Sequence, residues 1–202
     1  MLELLSKGIG EMPSVINLGC GSELKEDQVN IDVHMPDCAR YYSNVKNCWI
    51  FQGAILSPHE LPKNYFKTIN ATMVMEHVHL DNIPNLLYCL YEFLQPNGKL
   101  YIKVPNFKQA AKMYMDSCDL GSFDMSKLTL LREITYQLLD PTLDSNEGGR
   151  GHQSLWTPEL AYFWLSNEGF NPINIKPLGN WVMDITAVKP STNPFSISCN
   201  HG

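Results

Sequence analysis

The sequence predicts an α/β fold built on a mostly parallel sheet. Three observations predict it. Short apolar strand-like runs alternate with helical periodicity, the first clear strand breaks at a Gly-x-Gly turn, and the next strand ends on an acid. Of the 202 residues, 44% are hydrophobic and 10% aromatic, which is enough for a sizeable core and excludes wholesale disorder.

Residues 15–18 form the first clear strand, stopped by Gly19-Cys20-Gly21. Residues 28–33 alternate in polarity and carry Asp32 near their end, and residues 49–51 supply a third strand. Residues 66–74 read as a buried strand running into a helix start. Asp81 can cap a helix in which Ile83, Leu86, Leu87, Leu90 and Leu94 follow helical spacing. Pro96-Asn97-Gly98 stops that helix, and residues 100–104 are the next strand, ended by Pro105. Residues 108–115 read as helical. Leu130, Ile134 and Leu138 continue a helical repeat up to Pro141, and residues 144–151 are a polar, glycine-rich loop. We read residues 107–150 as a helical insertion over one end of the sheet, serving as a cap or as the arm of a homodimer. Thr157-Pro158-Glu159 opens another helix with a hydroxyl cap and an early proline, and Gly169 ends it. Residues 173–176 and 182–188 are the last strands. Residues 1–189 are thus expected to be one domain, and residues 190–202 a flexible tail.

Charge narrows the partners. Fifteen Lys plus Arg stand against 21 Asp plus Glu, a net charge of −6, and no basic cluster offers a footprint for nucleic acid. No apolar run approaches the roughly 20 residues a membrane helix needs, so no membrane partner is expected. The first residues lack the basic-then-apolar plan of a signal peptide. None of the six cysteines forms a CxxC pair. The expectation is a cytoplasmic protein with reduced thiols. Asn70-Ala71-Thr72 matches a glycosylation sequon but lies inside a strand-like run, and we discount it.

The stretch richest in chemistry is Leu18-Gly19-Cys20-Gly21. A strand ending in Gly-x-Gly lets the backbone turn sharply and approach a ligand, at the strand end where open parallel sheets bind ligands. Asp32 ends the following strand, where a carboxylate can accept bonds from both hydroxyls of a ribose. With Asn30-Ile31-Asp32-Val33, this segment resembles the nucleoside-binding half of class I S-adenosylmethionine-dependent methyltransferases. Met73-Val74-Met75-Glu76-His77-Val78 resembles the "hydrophobic, Leu, Glu, His, Val" segment after the fourth strand of a broad subgroup. Leu94-Gln95-Pro96-Asn97-Gly98-Lys99-Leu100 resembles the turn before the fifth strand, and Gly169-Phe170 the Gly-Phe before the last two.

The resemblance implies a Rossmann-like, seven-stranded, mostly parallel sheet with an antiparallel last strand and helices on both faces. It implies S-adenosyl-L-methionine bound across the carboxyl ends. Leu18, Gly19, Cys20 and Gly21 would line the methionine and ribose, Asp32 would hold the ribose hydroxyls, and Val33 would flank the adenine. Thr72 joins this cofactor-binding set. Glu76 and His77 would lie beside the methyl-transfer centre. Some positions depart from the family's pattern. The span from Gly19 to Asp32 leaves room for only about one helical turn, and no acid follows the third strand, where Gly53-Ala54-Ile55-Leu56 stands. Asn97 replaces a glycine that Asn can imitate at positive φ.

His152 follows the glycine-rich loop and precedes a capped helix, so it is the candidate substrate contact and general base, and His77 and Glu76 are the other catalytic candidates. His77 and His79 alone make two ligands with no third at a recognisable spacing, so no metal is expected. The reading is methyl transfer to a small molecule, sugar or lipid precursor. Two rivals share the same features: a nicotinamide-dependent oxidoreductase, and an S-adenosylmethionine-binding module without turnover.

Overall fold

The structure is a computed structural model, described here for residues 1–33, 47–117, 152–179 and 181–192. Eight strands make one sheet: β1 (Glu3–Ser6), β2 (Val15–Leu18), β3 (Val29–Asp32), β4 (Trp49–Gln52), β5 (Phe66–Thr72), β6 (Leu94–Pro105), β7 (Ile173–Leu178) and β8 (Val182–Val188). Their order is β1-β4-β3-β2-β5-β6-β8-β7. From β4 through β6 every pairing is parallel, and β8 runs antiparallel between β6 and β7. This is the expected α/β Rossmann-like sheet with its antiparallel last strand. The eighth strand is β1, antiparallel to β4 at the edge.

Three α-helices are described: α1 (Ile83–Phe93), α2 (Phe107–Ser117) and α3 (Pro158–Asn167). Thr157 caps α3 as expected, its hydroxyl accepting from the Leu160 amide at 3.2 Å. Asp81 does not cap α1. It lies inside a 3-10 turn, Leu80–Asn82, where its own amide donates to His79 Nδ1 at 3.3 Å. That turn runs straight into α1, and Pro84 in the first turn has no N–H to satisfy. Leu94 begins β6 rather than ending α1, yet stays fully buried. Asn97 takes a φ of +64° in the turn before the regular part of β6.

The main core lies on one face of the sheet. Ile16, Ile31, Ile69 and Ile102 meet Leu87 and Leu90 of α1 and Trp164 and Leu165 of α3. On the other face a small cluster of Cys20, Cys48 and Ile50 packs with Leu5 and Leu24. Between β2 and β3 only one hydrogen-bonded turn remains, Glu23 N–H to Cys20 O at 2.8 Å. Two buried asparagines do the work of the shortened helix. Asn17 Nδ2 donates to Asn30 Oδ1 at 2.9 Å and to Glu23 O at 3.1 Å, and Asn30 bonds Lys25 in both directions at 3.0 Å. Buried amide groups of this kind must be satisfied, and here they fasten the 23–28 segment to the sheet.

The helical repeat at Leu130, Ile134 and Leu138, the 144–151 loop with Arg150, the homodimer arm and the tail beyond residue 192 lie outside the described residues. Among the described residues no helix is long and apolar enough to cross a membrane.

Candidate functional site

A cleft of about 620 Å³ opens at the carboxyl ends of β2, β3 and β4. Leu18, Gly19, Asp32 and Val33 line one side, and Gly53, Ala54, Ile55 and Leu56 continue it. The opposite wall comes from Val74, Val78 and the start of α1. Its largely apolar lining with a few polar groups, at the carboxyl ends of parallel strands, suits a nucleoside ligand. The strand-end loop is tightly built: Gly19 N–H donates to Ile31 O at 2.8 Å, and Gly21 N–H donates to Asp32 Oδ2 at 2.8 Å. Asp32 therefore organises the Gly-x-Gly loop and stands at the cleft together. Gly19 has a φ of +68°, and a Cβ there would sit 2.4 Å from Val74 Cβ. Gly21 also has positive φ, at +49°, but open space surrounds its absent side chain.

Beyond β5 the chain makes a sharp exit. Met73 adopts a φ of +51°, unusual for a bulky residue. Val74 then covers Gly19, and the 3-10 turn Met75–His77 follows. Glu76 is 1% exposed, and neither carboxylate oxygen accepts a hydrogen bond of good geometry. Burial pushes its carboxyl up to about 7, only slightly offset by its own backbone N–H. The distant 152–154 segment docks here: the amides of Gln153 and Ser154 donate to Glu76 O at 2.7 and 3.1 Å, and Ser154 Oγ donates to Met75 O at 3.2 Å. This puts the His77 and His152 rings 5.1 Å apart in an edge-to-face contact. Burial, and then the neighbouring His77, pull His152 down to about 4, so it is a neutral imidazole near pH 7. Beside the cluster a second, small pocket is walled by Phe107, Trp156 and Trp181 among others.

The three acid–base candidates, Glu76, His77 and His152, are thus brought together. The cofactor candidates divide. Thr72 does not reach the cleft: strand alternation turns it to the opposite, exposed face, where it lines a groove with Asn70, Tyr101 and Lys103. Cys20 contributes its backbone to the loop, while its side chain packs with Cys48 and Ile50. Trp156 and Trp164 form a buried edge-to-face pair, centroids 4.9 Å apart, whereas Tyr162 is exposed. Sequence reasoning missed Asn82 and Asn85, which line the cleft from α1 and its approach. Asn85 Nδ2 also donates to Leu56 O at 3.3 Å, tying the two walls together. Their only sequence signal was polarity at a helix start, which reads first as capping.

Sheet order, strand-end cleft and glycine loop together are those of the class I methyltransferase fold. The chain belongs to the methyltransferase domain family whose profile it matches over residues 2–175. No curated protein matches it in sequence. Among solved structures it is similar to an S-adenosylmethionine-dependent methyltransferase from Archaeoglobus fulgidus, with TM-score 0.59, 14% identity, and coverage of 88% of this chain and 86% of that one. It is also similar to a Burkholderia thailandensis 1,6-didemethyltoxoflavin-N1-methyltransferase with bound 1,6-didemethyltoxoflavin and S-adenosylhomocysteine. There the TM-score is 0.54 at 14% identity, covering 88% of this chain and 72% of that one. A Haemonchus contortus phospholethanolamine N-methyltransferase 2 aligns with TM-score 0.57 at 11% identity, over 92% of this chain but only 50% of that one.

Proposed function

We propose that the protein transfers a methyl group from S-adenosylmethionine to a small-molecule acceptor. The observation that carries this reading is the cleft: Gly19 and Asp32 bound it at one end, and two residues beyond its Val74 wall lies the Glu76–His77–His152 cluster. When bound, S-adenosylmethionine supplies an electrophilic methyl group. Asp32 would hold the ribose, the glycine loop would let the ligand come close, and Gly53 to Leu56 would flank the adenine without an acid. Asn82 and Asn85 offer the polar contacts on the far wall. The cluster would handle the acceptor: neutral His152 presents a lone pair for its proton. Holding the partners in line is worth about 7–11 kcal/mol of the barrier in well-oriented reactions.

The oxidoreductase alternative needs a helix N-terminus to seat a pyrophosphate. Residues 19–28 contain turns and no helix. Calorimetry should therefore show binding of S-adenosylhomocysteine and S-adenosylmethionine and none of NAD, and labelled methyl should pass from the donor into a metabolite extract. Binding of NAD alone would overturn the reading. Firm donor binding with no labelled product from any extract would instead favour the inert module.

Asp32→Ala should weaken S-adenosylhomocysteine by about 10–150-fold, the loss expected for hydrogen bonds to a charged group worth about 1.5–3 kcal/mol. Unchanged affinity in the same titration would remove Asp32 from the ribose site.

A further inference from the structure

We infer that Glu76, His77 and His152 form a binding site for a divalent transition-metal ion of the zinc type, with one coordination position left open for an acceptor oxygen. This rests on the methyltransferase reading only for the identity of that oxygen; the ion site itself rests on the three side chains.

The donors are one carboxylate and two imidazoles, and their ligating atoms all lie within 4.8 Å of one another. An ion bonded at about 2.0–2.2 Å requires the donors to draw somewhat closer, which small side-chain rotations supply. The set is the kind that holds catalytic zinc, three protein ligands and an open position; with an ion bound, the His152 lone pair is committed to it, and the ion in place of His152 would assist loss of the acceptor's proton by acidifying the bound oxygen. Nitrogen donors favour zinc, cobalt or iron over magnesium, which prefers oxygen.

An independent observation points to a ligand. Glu76 is 1% exposed, with neither oxygen hydrogen-bonded, and none of the described lysines or arginines pairs with it. A buried carboxylate left this way costs several kcal/mol unless a proton or a cation neutralises it. The cluster is also held in place before any ion arrives. The Gln153 and Ser154 amides lock the segment carrying His152 onto the backbone of Glu76 itself. His79 is not part of it: that ring is 59% exposed and lies 3.6 Å from Asp81.

A small space lies next to the site. Its walls are largely apolar, with Phe107, Trp156 and Trp181 beside Glu76 and His152. The space there holds only a water or two, so the open position would be filled by a solvent oxygen until an acceptor displaces it.

The test uses the full chain after chelator treatment. Zinc is titrated by calorimetry and cobalt by its visible d–d absorption, with S-adenosylhomocysteine titrated into the same samples. One equivalent of zinc should bind, and cobalt should show no thiolate charge-transfer band. Glu76→Gln, His77→Ala and His152→Ala should each weaken zinc at least about tenfold, while His79→Ala should leave it unchanged. If Glu76→Gln fails to fold, the two histidine variants decide. No zinc binding in a protein that still binds S-adenosylhomocysteine overturns the ion site and leaves the methyltransferase reading intact. Equal zinc affinity in all variants, or a thiolate band, places the ion on cysteines and overturns it too. Zinc binding lost in the three variants, in a protein that ignores S-adenosylhomocysteine, keeps the ion site and sinks the cofactor assignment.

Discussion

Gly19→Ala should destabilise the protein by about 2–5 kcal/mol and abolish measurable binding of S-adenosylhomocysteine. Two costs add. A residue with a Cβ held at the Gly19 φ of +68° pays about 1–2 kcal/mol. The new methyl would also meet Val74 Cβ and Cγ2 at 2.4 Å, an overlap no rotamer relieves because Val74 meets it with its Cβ. Relief by backbone shift costs about 1–3 kcal/mol more. The shift must move either the loop that Asp32 holds or the wall that precedes Glu76, so the cleft suffers whichever gives way. For a chain of this size the total corresponds to a fall of about 4–20 °C in melting temperature. Gly21→Ala is the control. Its φ of +49° imposes the conformational cost, but nothing lies within 4 Å of the added carbon. It should lose only about 1–2 kcal/mol. Equal losses in the two variants, measured by calorimetric melting, would show that the contact with Val74 does not govern the loop.

What could be read from the chain alone was whatever local pattern determines. Residues 15–18 and 182–188 were bounded correctly because turn residues punctuate short β-branched runs. The Gly19 and Asp32 pairing was legible because both sit at ends of neighbouring strands. β1 was not, since Glu3-Leu4-Leu5-Ser6 has little strand character of its own and becomes a strand by pairing with β4. Asp81 looked like a cap because nothing local announced that a 3-10 turn would intervene. Thr72 was misplaced although alternation from buried Ile69 and Ala71 already turns it to the other face of the sheet. Nothing in the sequence pattern pairs Asn17 with Asn30, and only the folded sheet shows them bonded to each other and to the loop between them. The approach of His152 to Glu76 was least legible of all. Backbone hydrogen bonds between distant segments create it, and no periodicity encodes those.

In metal-free protein, Glu76→Gln should gain stability relative to wild type as pH rises, by about 3 kcal/mol between about pH 4.5 and pH 8. The folded carboxyl titrates at about 7 against an ordinary 4.5, because burial penalises its charge. The folded state thus holds its proton where the unfolded chain has released it, and the sign follows: wild-type stability falls as pH rises from the unfolded value through the folded one, then levels off. The size comes from about 2.5 units at 1.36 kcal/mol each. His152 works in the opposite direction. Its pKa is lowered to about 4, so the unfolded chain binds more protons below about 6.5, and acid costs stability there. That contribution is smaller, because water reaches the half-buried ring. The wild-type profile alone would therefore show the carboxyl's effect only in part, and only the difference between wild type and Glu76→Gln isolates it. The amide's own unsatisfied bonds add an offset that does not depend on pH, so the slope is the quantity to read. Urea unfolding of both proteins with chelator present, at acid, neutral and mildly alkaline pH, supplies it. A difference that stays constant with pH would mean that the carboxylate is solvated or paired in solution. Repeating the series with zinc should remove the slope, since an ion on the carboxylate displaces the proton that produces it.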